Sequence, residues 1–469
     1  MSTFINRREF VKLSAFASGS QLLNSCSTQA TSMSPHNMCD FAAPKIEKVR
    51  VAVVGLGNRG YGAVQRLMKI ADLEIVAFSD LEEAKVKKAN TLLRNAGLKE
   101  AKEFFSGPED YKSICDMGID LMYCVTSWDY HTPISVYAME SGVHAATEVP
   151  AGKTIDEMWE LVETSEKTQK HCMMLENCCY DFFELTSLNM VRQGVFGELT
   201  HAEGAYIHCL SESMMGSSSE NSGGWRTKEN VGIHGNLYPT HGLGPVAQCL
   251  DINRGNRFEY LVSMSSQEAA FSSFARKKGR KDMLNINFRG DMNTSVLKTV
   301  KGQTVMIQHD VSSPRPYSRI HMLQGNRGMV RKYPREEYAL LDYHKAHEFL
   351  DKEEKKELEA KYRHPLIKTL GDVAKKVGGH GGMDFMMDYR LIYCLKNGLP
   401  LDQNVYDAAT WTSLYPLSIE SVKRRSTSVD VPDFTRGKWK NNKQLPIVDV
   451  NPKKLKLYNT DTASGQLSV

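Results

Sequence analysis

Gly55-Leu56-Gly57-Asn58-Arg59-Gly60 sets its glycines at the spacing of a phosphate-cradling turn, and Asp80 follows at the separation of a ribose-binding carboxylate. Gly55 suits a tight turn, Gly57 lets backbone amides approach a pyrophosphate, and Gly60 lets the next helix pack closely on a sheet. A helix opening with Asn58 and Arg59 offers free N–H groups and a partial positive charge to a diphosphate. Asp80 can accept from both ribose hydroxyls and would repel a 2′-phosphate, so the cofactor expected is NAD. Arg59 pulls the other way, because a nearby guanidinium can accept that phosphate.

Such a turn works only between a strand and a helix. Arg50–Val54 is a run of β-formers, and Tyr61–Ile70 has helical spacing with Val64, Leu67 and Met68 apolar. Leu73–Phe78 reads as a second strand running into Ser79-Asp80. The alternation continues through strand Leu121–Val125, helix Ile134–Met139, strand His144–Thr147, helix Ile155–Gln169 and strand Cys172–Leu175. In a doubly wound parallel sheet, ligands sit at the carboxyl ends of the strands. That rule marks Trp128, His131, Glu148, Val149 and Asn177 as candidate cofactor contacts.

After Phe182 the pattern changes. A helix through Met190 leads into a strand from Leu199 to Leu210, and β-like runs follow at Phe258–Ser265, Met283–Arg289, Thr304–Val311 and Ser318–Leu323. No long helix separates them, which predicts an open, mainly antiparallel sheet with one face for a core and one for a ligand. The charge run Asp351–His364 reads as a solvated helix. The expected fold class is therefore α/β: an N-terminal Rossmann domain, then an α+β domain whose C-terminal parts pack back on the first. The boundaries expected are 46–178 and 179–469.

Ahead of these lies a leader, residues 1–26. Arg7-Arg8-Glu9-Phe10-Val11-Lys12 and a weakly apolar stretch match a twin-arginine export signal, and Leu23-Asn24-Ser25-Cys26 is similar to a lipobox with Cys26 lipidated. The expected location is the periplasm or cell envelope, with Cys26 as a membrane anchor. Residues 27–45, rich in Ser, Thr, Ala and Pro, read as a flexible tether.

Composition narrows the partners. The 469 residues are 41% hydrophobic and 24% charged with a net charge of +4, and the cations form no concentrated stripe, so no nucleic-acid partner is expected. No apolar run beyond the leader approaches the ~18 residues of a membrane span. The ten cysteines include no CxxC pair, so no metal site is expected.

With the nucleotide turn, a Glu-x-Pro segment and a Gly-x-x-Gly-Glu entry into an antiparallel sheet, the chain resembles the glucose–fructose oxidoreductase/inositol dehydrogenase family over nearly everything after the tether. Within it the chain is most similar to glycoside hydrolase family 109, the NAD-dependent α-N-acetylgalactosaminidases. The carrying segments are Val53–Gly60, Thr147-Glu148-Val149-Pro150-Ala151-Gly152, Glu176-Asn177-Cys178-Cys179-Tyr180, Asn236–Pro245 around Tyr238-Pro239-Thr240-His241, and Gly378–Asp384. The parent dehydrogenases usually hold Lys in the middle of Glu-x-Pro for proton transfer; here Val149 stands there.

The resemblance implies a glycosidase outside the usual two-carboxylate pattern. The sugar is oxidised at C3, C2–H is lost with the leaving group at C1, water adds, and C3 is reduced again, so NAD is recycled. His241, Tyr238 and Tyr206 are implied as catalytic, with Tyr238 also facing the nicotinamide if its segment is helical. Tyr206, Arg226, Tyr238, Pro239, Thr240, His241, Tyr317 and His380 are implied as substrate contacts, and the implied partner is a glycan ending in N-acetylgalactosamine. A homo-oligomer is compatible with this reading. Two alternatives stand beside it: a conventional NAD-dependent sugar or inositol dehydrogenase, and a non-catalytic sugar-binding lipoprotein on the same fold.

Overall fold

Short apolar runs alternate with amphipathic stretches from Val49 onward, and each pair folds into a strand–helix unit. The computed structural model describes residues 36–216, 224–342, 347–451, 456–458 and 466–468; the leader, Cys26 and residues 27–35 of the expected tether lie outside them. The first domain runs β1 (Val49–Val54), α1 (Asn58–Leu67), β2 (Leu73–Ser79), α2 (Glu83–Asn95), β3 (Lys102–Phe104), α3 (Asp110–Cys115), β4 (Leu121–Cys124), α4 (His131–Glu140), β5 (His144–Thr147), α5 (Ile155–Thr168) and β6 (Cys172–Met174). Its strands lie in the order β3-β2-β1-β4-β5-β6, all parallel. The order reverses between β1 and β4, which opens a crevice at their carboxyl ends.

The second domain contains α6 (Phe182–Arg192), β7 (Leu199–Ile207), α7 (Ser211–Met215), α8 (Gly224–Glu229), α9 (Thr240–Cys249), β8 (Phe258–Ser265) and α10 (Ala270–Lys277). It continues with β9 (Asn293–Thr299), β10 (Thr304–Asp310), β11 (Met322–Gly325), β12 (Gly328–Arg331), β13 (Glu337–Leu340) and α11 (Lys352–Tyr362). Last come α12 (Pro365–Val377), α13 (Met383–Asn397), α14 (Val405–Lys423) and β14 (Val429–Asp430). The sheet order is β13-β12-β11-β7-β10-β9-β8-β14. The β7–β10 pair is parallel and the other pairs are antiparallel. Helix α13 packs against α1 and β1, and α14 against α5, β6 and β8, so the C-terminal helices join the two sheets. Among the described residues no helix is long and apolar enough to cross a membrane.

Three expectations need correction. The strand expected at Met283–Arg289 is a short 3-10 turn followed by irregular chain, because Asn285 and Asn287 adopt positive φ. The ladder forms instead at β9, whose inward residues Asn293, Ser295, Leu297 and Thr299 are mostly polar and mask the alternation. The strand expected from Ser318 begins only at Met322, because Ile320 and His321 also have positive φ. The tether does not extend to residue 45: Met38 and Cys39 are buried, the Met38 amide donates to the Tyr406 hydroxyl at 3.3 Å, and Phe41 packs on His171.

Candidate active site

Both domains contribute to one cleft of about 920 Å³. On the first domain, Gly55 turns with φ 91°, and a Cβ there would lie 2.5 Å from the Val125 carbonyl oxygen. Gly60 lies against the Gly55 carbonyl, so α1 starts directly on the turn. Gly57 faces open space, and no side chain caps α1, which leaves its first amides for a ligand. Asp80, at the end of β2, accepts from the Leu56 amide at 2.7 Å and the Glu82 amide at 3.0 Å, with Lys85 Nζ 3.8 Å away. This constellation fits a dinucleotide: an open cradle for the diphosphate and a fixed carboxylate for the ribose.

Arg59 is paired with two carboxylates. Its Nε donates to Glu148 and its NH1 to Asp384, at 2.5 and 2.7 Å. Asn58 and Val149 line the cleft beside it. Asn177 also lines it and donates to the other Asp384 oxygen. His131 borders the cleft, but its Nδ1 lies 2.7 Å from the Pro150 carbonyl and its Nε2 3.1 Å from that of Thr126. Its ring is committed to fixing the ends of β4 and β5. Trp128 is buried and stacks on Tyr238 at 6.0 Å.

On the second domain, α9 sits directly on β7 because two glycines meet. A Cβ on Gly204 would be 2.3 Å from the Gly242 carbonyl oxygen, and one on Gly242 would be 2.3 Å from the Ala205 amide. That contact brings Tyr206 on β7 to His241 on α9, with ring centroids 5.3 Å apart. Tyr238 completes the group, 4.8 Å from Tyr206 and 4.9 Å from His241. The helix starts only at Thr240, so Tyr238 meets His241 from the preceding turn and not along a helix face. Pro239 and buried Thr240 start the helix without lining the cleft. Arg226 holds its guanidinium 5.0 Å from the Trp225 ring and 5.7 Å from that of Tyr238. Tyr317 stands outside the cleft lining, 6.3 Å from Tyr206 and 5.1 Å from His208. His380 lines the cleft but sits beside Arg59, next to the start of α1.

Sequence reasoning missed the carboxylate that orients His241. Glu176, at the end of β6, is fully buried and accepts from His241 Nδ1 at 2.8 and 2.9 Å, and from the Cys178 amide at 3.0 Å. Burial pushes the Glu176 carboxyl up, but the His241 charge and these hydrogen bonds outweigh it and hold the group below the ordinary carboxylate range. With Nδ1–H donated to Glu176, Nε2 is the nitrogen left for chemistry. Burial pushes the Tyr238 hydroxyl well up against the opposing Arg226, and Tyr206 shifts the same way for the same reason, so both stay protonated donors. Asp384 was missed likewise. Burial would push it up, but the His380 hydrogen bond and the charges of Arg59 and Arg66 keep it far below the carboxylate range. Among the described residues, Glu176, Cys178 and His241 bring metal-ligand atoms within 4.8 Å of one another, but burial pushes the thiol well up and the other two bind each other.

Residues 49–176 match the oxidoreductase family with an NAD-binding Rossmann fold, and residues 180–441 match the C-terminal domain of glycosyl hydrolase 109. The chain is 47% identical over 425 residues to a glycosyl hydrolase family 109 protein of Porphyromonas gingivalis, covering 88% of this chain and 90% of that one. It is 47% identical over 408 residues to an alpha-N-acetylgalactosaminidase of Bacteroides fragilis, covering 85% and 95%. A levoglucosan dehydrogenase solved with NADH and L-sorbose shares the fold at TM-score 0.63 and 14% identity, over 83% of this chain and 100% of that one. An inositol dehydrogenase homologue from Azotobacter vinelandii solved with NAD+ does so at 0.61 and 16%, over 83% and 99%.

Proposed function

The chain belongs to glycosyl hydrolase family 109, a glycoside hydrolase built on an NAD-binding fold, and from that premise we propose that it releases terminal α-N-acetylgalactosamine from a glycan by a redox route. The observation that carries this reading is one cleft holding the nucleotide turn together with a carboxylate-oriented histidine and two protonated tyrosines. The similarity to a protein named alpha-N-acetylgalactosaminidase supports the choice of sugar.

NAD, when bound, supplies reversible hydride acceptance at C3 of the sugar. The residues of the chain manage the protons. Glu176 keeps the Nδ1 proton of His241, so His241 Nε2 takes the proton of the C3 hydroxyl and later returns it. With C3 a ketone, C2–H becomes acidic; its proton passes to water in the cleft that exchanges with solvent, and its loss expels the C1 substituent, whose oxygen takes up a proton from the same water, without a nucleophile. Tyr206 and Tyr238 donate to the oxygens on which negative charge develops. Water then adds at C1, C2 regains its proton and C3 its hydride, so the net reaction is hydrolysis. Arg226 holds the sugar hydroxyls or the acetamide carbonyl, and Tyr317 contacts the sugar from the rim. Val149, buried at 3% exposure, has no proton to move, which supports a cycle differing from that of lysine-bearing dehydrogenases. The leader supports export by the twin-arginine route to the periplasm or cell envelope, with lipid on Cys26 as the anchor; that route carries folded protein, so NAD is loaded before export.

Purified protein with its bound nucleotide is tested on aryl glycosides of both anomers and several 2-acetamido sugars. Aryl release from the α-N-acetylgalactosaminide with no added oxidant and no accumulating NADH supports the proposal. Accumulation of NADH with an oxidised sugar overturns the hydrolytic cycle, and preference for another glycoside overturns the choice of sugar.

A further inference from the structure

His309 is a buried imidazole that the proposed cycle leaves unused. It lies on β10 directly across from Tyr206 on β7, and the two rings stack with centroids 6.2 Å apart. Its Nδ1 accepts at 3.2 Å from the amide of Leu237, the residue before Tyr238. Burial first, and then the charge of Arg289, pushes the ring well below its ordinary range, so it stays neutral. A neutral imidazole that accepts at Nδ1 carries its proton on Nε2.

Asn230, just after α8, is the complement of this donor. Its Nδ2 donates to the Arg226 carbonyl at 2.8 Å, which turns Oδ1 the other way. The two residues are 1% and 3% exposed, and among the described residues no group meets His309 Nε2 or Asn230 Oδ1. A buried polar atom left unpaired forfeits its hydration for nothing in return. Both residues line one small cavity of about 10 Å³, and Trp128, Tyr206, Arg226 and Tyr238 separate it from the main cleft. That volume is the least that holds one water, and a water stays in a cavity where polar groups meet it.

We propose that this cavity is the site of one ordered water, which accepts from His309 Nε2–H and donates to Asn230 Oδ1. The water ties β10 to the residue that follows α8. Three cleft-lining side chains depend on the link: Arg226 through the Asn230 amide, Tyr238 through the Leu237 amide, and Tyr206 through the stacked ring. Neither His309 nor Asn230 lines the main cleft, so both are positioning residues.

A crystal structure of the nucleotide-loaded enzyme, at a resolution that shows ordered solvent, tests the site. The expected result is one water within about 3.2 Å of both atoms. No density in the cavity, or a direct bond between the two side chains, overturns the proposal. Kinetics test the positioning. Asn230→Leu and His309→Phe each remove one arm of the bridge, and each should lower kcat/KM for the sugar about tenfold with the affinity for NAD unchanged. His309→Gln, whose Oε1 accepts from Leu237 and whose Nε2 donates to the water, should recover most of that loss. Unchanged kcat/KM in Asn230→Leu, an equal fall in NAD affinity, or a His309→Gln variant as impaired as His309→Phe overturns the positioning role. The kinetic arm rests on Arg226, Tyr238 and Tyr206 meeting the sugar and the crystallographic arm does not, so a failure of that reading is distinguishable from a failure of the water site.

Discussion

At Glu176 the NAD-binding half of the chain reaches into the chemistry of the other half. Its carboxylate fixes which nitrogen of His241 is free, and the pair spans the domain boundary. His241→Ala should lower turnover by roughly 10²–10⁴-fold as the loss of a general base. Glu176→Gln preserves shape but offers either an oxygen or an NH2 to Nδ1, so the tautomer is no longer fixed. Its kcat should approach that of His241→Ala, with KM for the sugar little changed; near-normal kcat would make Glu176 a packing group. Asp80→Ala should weaken NAD by about tenfold and relax discrimination against NADP, as read by nucleotide titration. Asp80 was legible in the sequence because it ends a strand after a glycine turn. Glu176 lies at an equally informative strand end, but its partner is distant along the chain, and no local pattern announces that pairing.

Among the elements, the contact of α9 with β7 decides whether the site exists. Gly242→Ala puts a methyl group against the backbone of β7, and neither side can yield by rotating a side chain. Overpacking of this kind costs about 1–3 kcal/mol. The variant should melt earlier and lose kcat as Tyr206 and His241 part, measured by thermal unfolding and aryl release; unchanged kcat would separate the contact from catalysis. Five strands of the parallel sheet were legible because they are buried on both faces and read as continuous apolar runs, whereas the edge strand β3, short and partly exposed, was missed. The second sheet was legible only in part. Strand β9 turns polar residues inward, and β12 and β13 are too short to show a period. The packing of Met38 and Cys39 was hidden because isolated apolar residues in a Pro- and Ser-rich stretch carry no periodicity.

Across the whole molecule, buried neutral histidines and buried paired carboxylates set the response to acid. Burial lowers His144 from 6.5 to about 3, and His171, His321 and His364 from 6.5 to about 4. The unfolded chain therefore binds protons first as pH falls, and the stability these groups confer is full above 6.5 and lost progressively down to about 4. Glu176, Glu184 and Asp384, all held below the carboxylate range by cationic partners that outweigh burial, add a second loss at lower pH with the same sign. The midpoint of thermal unfolding should thus begin to fall near pH 6.5, well before carboxylates titrate; a midpoint flat to about 4.5 would contradict this. The two domains line one cleft in which the nucleotide turn faces Tyr206, Tyr238 and His241, and that arrangement leads to the central proposal, a cycle that breaks the C2–H bond of the sugar. Turnover of an α-N-acetylgalactosaminide in heavy water, with the released sugar examined by NMR, tests it most directly. The account predicts deuterium at C2 of the released N-acetylgalactosamine, whereas product protonated at C2, together with an uncut thioglycoside, would show displacement at C1 and contradict it.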